Sequence, residues 1–134
     1  MFRLPRRYAE EIIAHARDEA PNECCGIILG TDGRVERLYR ARNVEQSPVK
    51  YSVDPADLYG AYTEAEDKGW EFLAFYHSHT RSEAYPSPTD VRLAAWPDSL
   101  YILVSLQDPE NPVIRAFYMV DGKITEEELV IEDS

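Results

Sequence analysis

The sequence predicts an α/β fold in which a mixed β-sheet is flanked by helices. Three observations lead there. Apolar residues recur at helical spacing in two stretches, residues 8–16 and 58–65. Short continuous apolar runs of core-strand type stand between and after them. Asp-Gly pairs, Asp32-Gly33 and Asp121-Gly122, sit where hairpins would turn. At 134 residues, with no repeat, low-complexity tract or linker, the chain is expected to form one domain over 1–134. A chain of that length buries roughly two thirds of the surface it exposes when unfolded.

Each element has its local cause. Tyr8, Ile12, Ile13 and Ala16 share one face of a first helix, which should end at the Ala20-Pro21-Asn22 break; His15 on that helix, without an obvious partner, is assigned to the surface. Residues 24–30, beginning Cys24-Cys25-Gly26, read as a buried strand, and Asp32-Gly33 turns it into a second strand over 35–40. Asp54-Pro55 supplies an N-cap and a proline at the first helical position, ahead of an apolar stripe of Leu58, Tyr59, Tyr62 and Ala65; Gly69 ends that helix. Residues 72–76 and 100–106 are core-strand runs, and 113–120 should form a hairpin with 124–131 through Asp121-Gly122.

Composition narrows the partners. Hydrophobic residues make up 44% and charged residues 29%, a globular balance, and no apolar stretch approaches a membrane span. The start of the chain has basic residues but no apolar core segment, so it does not read as a signal peptide, and the expected location is the cytoplasm. The net charge of −11, from 14 basic and 25 acidic residues, opposes the phosphate neutralisation that nucleic-acid binding requires. Cys24 and Cys25 are adjacent, which suits neither a disulfide framework nor a CxxC zinc knuckle; buried thiols on a strand are expected.

The chemistry concentrates in residues 77–90. His77 and His79 fall at the end of a strand, where side chains at i and i+2 point to one face, so both imidazoles aim at one point and Ser78 points away. Asp90 would sit in the first turn of a helix starting near Pro88 and bring a carboxylate to the same point. That gives N, N and O donors with a fourth position open, the pattern of catalytic zinc sites. Ser87-Pro88-Thr89-Asp90 also fits a capping signature, with Ser87 as N-cap, and both readings hold at once. A His-x-His pair alone is weak evidence for a metal; the ordered set of His77, His79, Ser87 and Asp90 is far more restrictive.

That set resembles the signature of the JAMM, or MPN+, zinc metallopeptidases. The resemblance implies a JAMM/MPN domain of cytidine-deaminase-like architecture. It assigns His77, His79 and Asp90 as zinc ligands and adds an upstream glutamate at the first helix-to-strand junction, where this chain has Glu23. From spacing alone Glu23 reads as a solvated loop acid. Residues 42–48, 76–80 and 83–87 resemble one bacterial branch that releases cysteine from a ubiquitin-like sulfur-carrier protein ending in Gly-Gly.

By that resemblance Glu23 is the general base that returns its proton to the leaving amine, and Ser87 donates to the developing oxyanion. Zinc would polarise the scissile carbonyl and bring the pKa of water to about 7. The loop over 80–86 borders the expected substrate groove, where Arg81 is a candidate for the carboxylate of a cysteine product, a solvated surface arginine being its alternative. Two further readings stay open: a broader isopeptidase acting on ubiquitin-like conjugates, and a non-catalytic scaffold module. The oligomeric state is open between monomer and homodimer.

Overall fold

The computed structural model describes residues 1–133. Strand β1 (Phe2–Pro5) leads into helix α1 (Arg6–Glu19); β2 (Cys25–Thr31), β3 (Arg34–Ala41), helix α2 (Pro55–Lys68) and β4 (Glu71–His79) follow. The short helix α3 (Pro88–Leu93) precedes β5 (Leu100–Ser105), β6 (Val113–Val120), β7 (Lys123–Glu127) and β8 (Leu129–Glu132).

Six strands form one sheet in the order β3-β2-β4-β5-β6-β7. Only the central β4–β5 pair is parallel, which makes the sheet mixed, as expected. Both faces are covered. Alternation along β5 sends Leu100, Ile102 and Val104 to a core with Ile12 and Ala16 of α1, and Tyr101 and Leu103 to a second core with Ala61 and Ala65 of α2. All six residues of β5 are buried, which is why that strand reads as an unbroken apolar run.

Local signals act where expected. Asp32 and Asp121 adopt φ of 53° and 51°, followed by Gly33 and Gly122 at 72° and 79°, so both Asp-Gly pairs turn hairpins through left-handed backbone. The Asp54 side chain accepts from the Ala56 N–H at 2.8 Å and caps α2, while Gly69 at φ 70° closes it.

Three expectations are corrected, and one unanticipated strand appears. His15 is buried, at 4% exposure, because α1 turns Ala9, Ile12, His15 and Ala16 inward; its Nδ1 lies 2.7 Å from the Tyr76 hydroxyl. On α2 the contact is made by Ala61, Ala65 and partly buried Leu58, whereas Tyr59 and Tyr62 are 71% and 51% exposed. Small alanines let the helix lie close to the sheet, and that shortens the stripe read from the sequence. The final hairpin does not run through residue 131: β7 stops at Glu127 and β8 leaves to pair with β1. Residues 2–5, which carry no helical or turn signal, form that β1, parallel to β8, and bury Phe2 and Leu4.

Candidate active site

The site forms where three elements end. The C-terminus of β4 presents His77 and His79, the start of α3 presents Ser87 and Asp90, and the junction between α1 and β2 presents Glu23. A capping box shapes one side. Ser87 Oγ accepts the Asp90 N–H at 3.0 Å, and Asp90 Oδ2 accepts the Ser87 N–H at 2.9 Å. The same Asp90 Oδ2 stands 3.0 Å from His79 Nε2 and 3.1 Å from His77 Nε2. The helix cap therefore aims the carboxylate at both imidazoles, and Ser87 keeps its own O–H proton free to donate.

The donor chemistry fits a cation. The candidate ligand atoms of His77, His79 and Asp90 all lie within 4.8 Å of one another, and all three residues are buried. His79 Nδ1 is 2.8 Å from the Glu83 carbonyl, an acceptor only, so Nδ1 carries a hydrogen and Nε2 is the ring nitrogen turned towards Asp90. Neither nitrogen of the fully buried His77 makes a hydrogen bond, nor does Glu23 Oε1. Unpaired buried polar atoms are costly and rare, and one of them, His77 Nε2, faces Asp90 Oδ2 at the place where a metal would be held.

Burial governs the electrostatics. Removal from water pushes the Glu23 carboxyl up to about 7; the Asp90 carboxylate adds to that rise and His79 opposes it. Burial also acts to raise Asp90, but the two imidazoles and the Ser87 N–H outweigh it and hold Asp90 well below the usual carboxylate range. His77, fully desolvated, is pushed down. Cys24 and Cys25 are both buried, with thiols raised to about 12 chiefly by desolvation, so neither is a ready thiolate, and neither joins the cluster of potential ligands.

A cleft of about 300 Å³ opens beside this cluster, and Glu23, His79, Arg81 and Ser87 all line it. The structure thus brings Glu23 to His77, His79, Ser87 and Asp90 despite their separation in sequence, and places Arg81 on the same rim. A larger cavity of about 430 Å³ also reaches Asp90 and is walled by Tyr51, Phe75, Trp96 and Tyr101. Sequence reasoning did not single out Tyr51. Its ring stacks on His77 with centroids 4.3 Å apart and planes at 19°, and the signal was weak because the two residues lie on separate elements.

Comparison with known proteins agrees with this architecture. A Mycobacterium tuberculosis protein named CysO-cysteine peptidase is 43% identical over 118 residues, which cover 87% of this chain and 81% of that protein. A Thermus thermophilus protein named as a probable TtuB-protein conjugate cleaving protease is 36% identical over 121 residues, 90% of this chain and 77% of that one. The solution structure of a Desulfitobacterium hafniense protein superposes with a TM-score of 0.90 at 38% identity, covering 100% of this chain and 94% of the other. The family described as prokaryotic homologs of the JAB domain matches residues 5–120, and this chain is a member of that JAMM metalloprotease-like family.

Proposed function

We propose that this protein is a zinc-dependent peptidase that hydrolyses the bond between the C-terminal glycine of a ubiquitin-like sulfur-carrier protein and an attached cysteine. One observation carries the chemistry: two imidazoles and a carboxylate converge beside a buried, unpaired Glu23, with a free Ser87 hydroxyl on the same cleft. The carrier assignment is supported by the relative named CysO-cysteine peptidase.

His77, His79 and Asp90 hold the metal. Zinc, when bound, supplies a Lewis acid for the scissile carbonyl and lowers the pKa of water to about 7. Glu23 takes a proton from the attacking water and passes it to the departing amine, and its raised pKa suits both halves of that transfer near neutral pH. Ser87 donates to the carbonyl oxygen as it gains charge. The C–N bond breaks, leaving a carboxylate on the carrier and free cysteine. Arg81, on the rim, meets the carboxylate of the leaving cysteine.

A second reading, cleavage of ubiquitin-like proteins from conjugates, is favoured by the Thermus thermophilus relative. A carrier bearing one peptide-bonded cysteine distinguishes them. With zinc-loaded protein, intact mass spectrometry should show loss of one cysteine residue, and a chelator should stop it. Survival of that adduct while a lysine-linked conjugate is cut would establish the second reading instead. Binding energy from the folded carrier body holds the thin tail in place, so a short tail peptide should lose kcat as well as affinity.

A further inference from the structure

Residues 42–54, between β3 and α2, touch both sides of the proposed metal centre. At their start Asn43 is buried, with 6% exposure, and its amide is fully engaged. Nδ2 donates to the Glu23 carbonyl and to the Lys50 carbonyl, each at 3.0 Å, while Oδ1 accepts the N–H groups of Glu45 and Ser52, also at 3.0 Å. The Glu23 N–H donates in turn to the Ser47 carbonyl at 2.8 Å. Glu23 is thus gripped at its N–H by the segment and at its carbonyl by Asn43. Its Oε1 makes no hydrogen bond, so the backbone sets where the carboxylate stands.

The same bonds govern the other side. Lys50 and Ser52, both fastened to Asn43, flank Tyr51, whose ring lies on that of His77. His77 makes no hydrogen bond through either nitrogen, so no such bond orients its ring; the stacked tyrosine covers one face. An amide is the one short side chain with two donors and an acceptor for two N–H groups. Aspartate would set a carboxylate against two carbonyls, and alanine would leave two carbonyls and two N–H groups unpaired.

We propose that Asn43 is a positioning residue: its four hydrogen bonds hold Glu23 and the Tyr51–His77 stack in one fixed relation. The proposal rests on the peptidase reading for its effect on turnover, and on geometry alone for its effect on the stack. A misplaced general base lowers kcat, and Asn43 itself is buried and lines neither cavity, so its loss should leave ground-state binding largely intact.

The test uses Asn43→Ala and Asn43→Asp in the full chain. Turnover is read on the carrier–cysteine adduct with zinc present, and the His77 ring protons by NMR in metal-free protein, assigned by their loss in His77→Ala. A tyrosine face stacked on His77 shifts those protons upfield. Both variants should lose kcat by about tenfold or more with KM within about threefold, and Asn43→Ala should also lose the upfield shift. If Asn43→Ala does not fold, Asn43→Asp, which keeps an acceptor for Glu45 and Ser52, supplies the kcat and KM result. A kcat within about twofold of wild type, a KM rise at unchanged kcat, or an undisturbed ring shift in folded Asn43→Ala overturns the proposal. If wild-type protein leaves the adduct intact, the peptidase reading falls, and the ring shift alone then decides whether Asn43 holds the stack.

Discussion

His77 Nε2 lies 3.1 Å from Asp90 Oδ2 and makes no hydrogen bond to it. An imidazole nitrogen and a carboxylate oxygen this close in a buried site, without hydrogen-bond geometry, are placed as two ligands of one cation would be. Purified protein should carry one zinc per chain by elemental analysis. His77→Ala and Asp90→Ala should each abolish that stoichiometry. Zinc in excess should raise the melting temperature of wild type, by about 2.7 kcal/mol of added stability at a hundredfold over Kd, and leave both variants unmoved. Wild-type protein isolated without chelator and free of metal would refute the ligand assignment.

Glu23→Gln separates proton transfer from metal holding. The amide is nearly isosteric but cannot shuttle a proton, so kcat should fall about a hundredfold to ten-thousandfold while zinc content holds. Activity near that of wild type would remove Glu23 from the mechanism.

The same substitution should stabilise the metal-free protein at alkaline pH. Burial raises Glu23 from 4.5 to about 7. The unfolded chain therefore gives up this proton first, and wild-type stability declines as pH rises from about 4.5 to about 7. Above that window Glu23→Gln should be more stable than wild type, by about 3 kcal/mol at most, and the two should converge near pH 4. Urea unfolding of chelator-treated protein at several pH values measures it, and parallel curves for the two proteins would contradict a buried, unpaired carboxyl.

Ser87 caps α3 and, in the proposed mechanism, donates to the oxyanion, two jobs that substitution can divide. Ser87→Ala removes the acceptor for the Asp90 N–H and the outward hydroxyl together. It should cost about 1 kcal/mol of stability as a lost cap and about a hundredfold to a thousandfold in kcat as a lost oxyanion donor. Ser87→Gly removes the hydroxyl but is a well-tolerated N-cap, so it should recover most of the stability and not the turnover. Recovery of both would assign Ser87 to the cap alone.

What the sequence made legible was local. Asp32-Gly33 and Asp121-Gly122 turn where their backbone preference dictates, Ser87 caps where its spacing to Asp90 requires, and His77 and His79 share a strand face through period-two alternation. The parts that were not legible depend on contacts between distant segments. Glu23 reads as a loop acid until β2 pairs with β4 and the Ser78 hydroxyl accepts the Cys24 N–H at 2.8 Å, anchoring the residue beside it. The parallel β1–β8 pair joins the two ends of the chain, which no periodicity within either end announces. Tyr51 reaches His77 through the folded course of residues 42–54, and its stretch shows no strand or helix period.

His15 is the other case where a long-range contact overrode a local expectation, and it yields a test of the core away from the cleft. Burial pushes its imidazole down to about 4 from 6.5, with the Arg40 charge acting in the same sense. The unfolded chain binds this proton between those values and the native state does not. The stability linked to it is complete above about pH 6.5 and is lost as pH falls towards 4, by about 3 kcal/mol at most. Tyr76→Phe strips the hydroxyl that lies 2.7 Å from His15 Nδ1 and should cost about 1–3 kcal/mol at neutral pH, because a buried ring nitrogen then lacks a partner. His15→Asn keeps a polar atom near the Nδ1 position and cannot titrate, so its stability should vary less than that of wild type between pH 6.5 and 4. Neither residue lines the cleft beside the proposed zinc ligands, and zinc content should stay at one per chain in both variants. Chemical denaturation across that pH range decides the matter: an acid slope in His15→Asn equal to that of wild type would assign the loss to other groups.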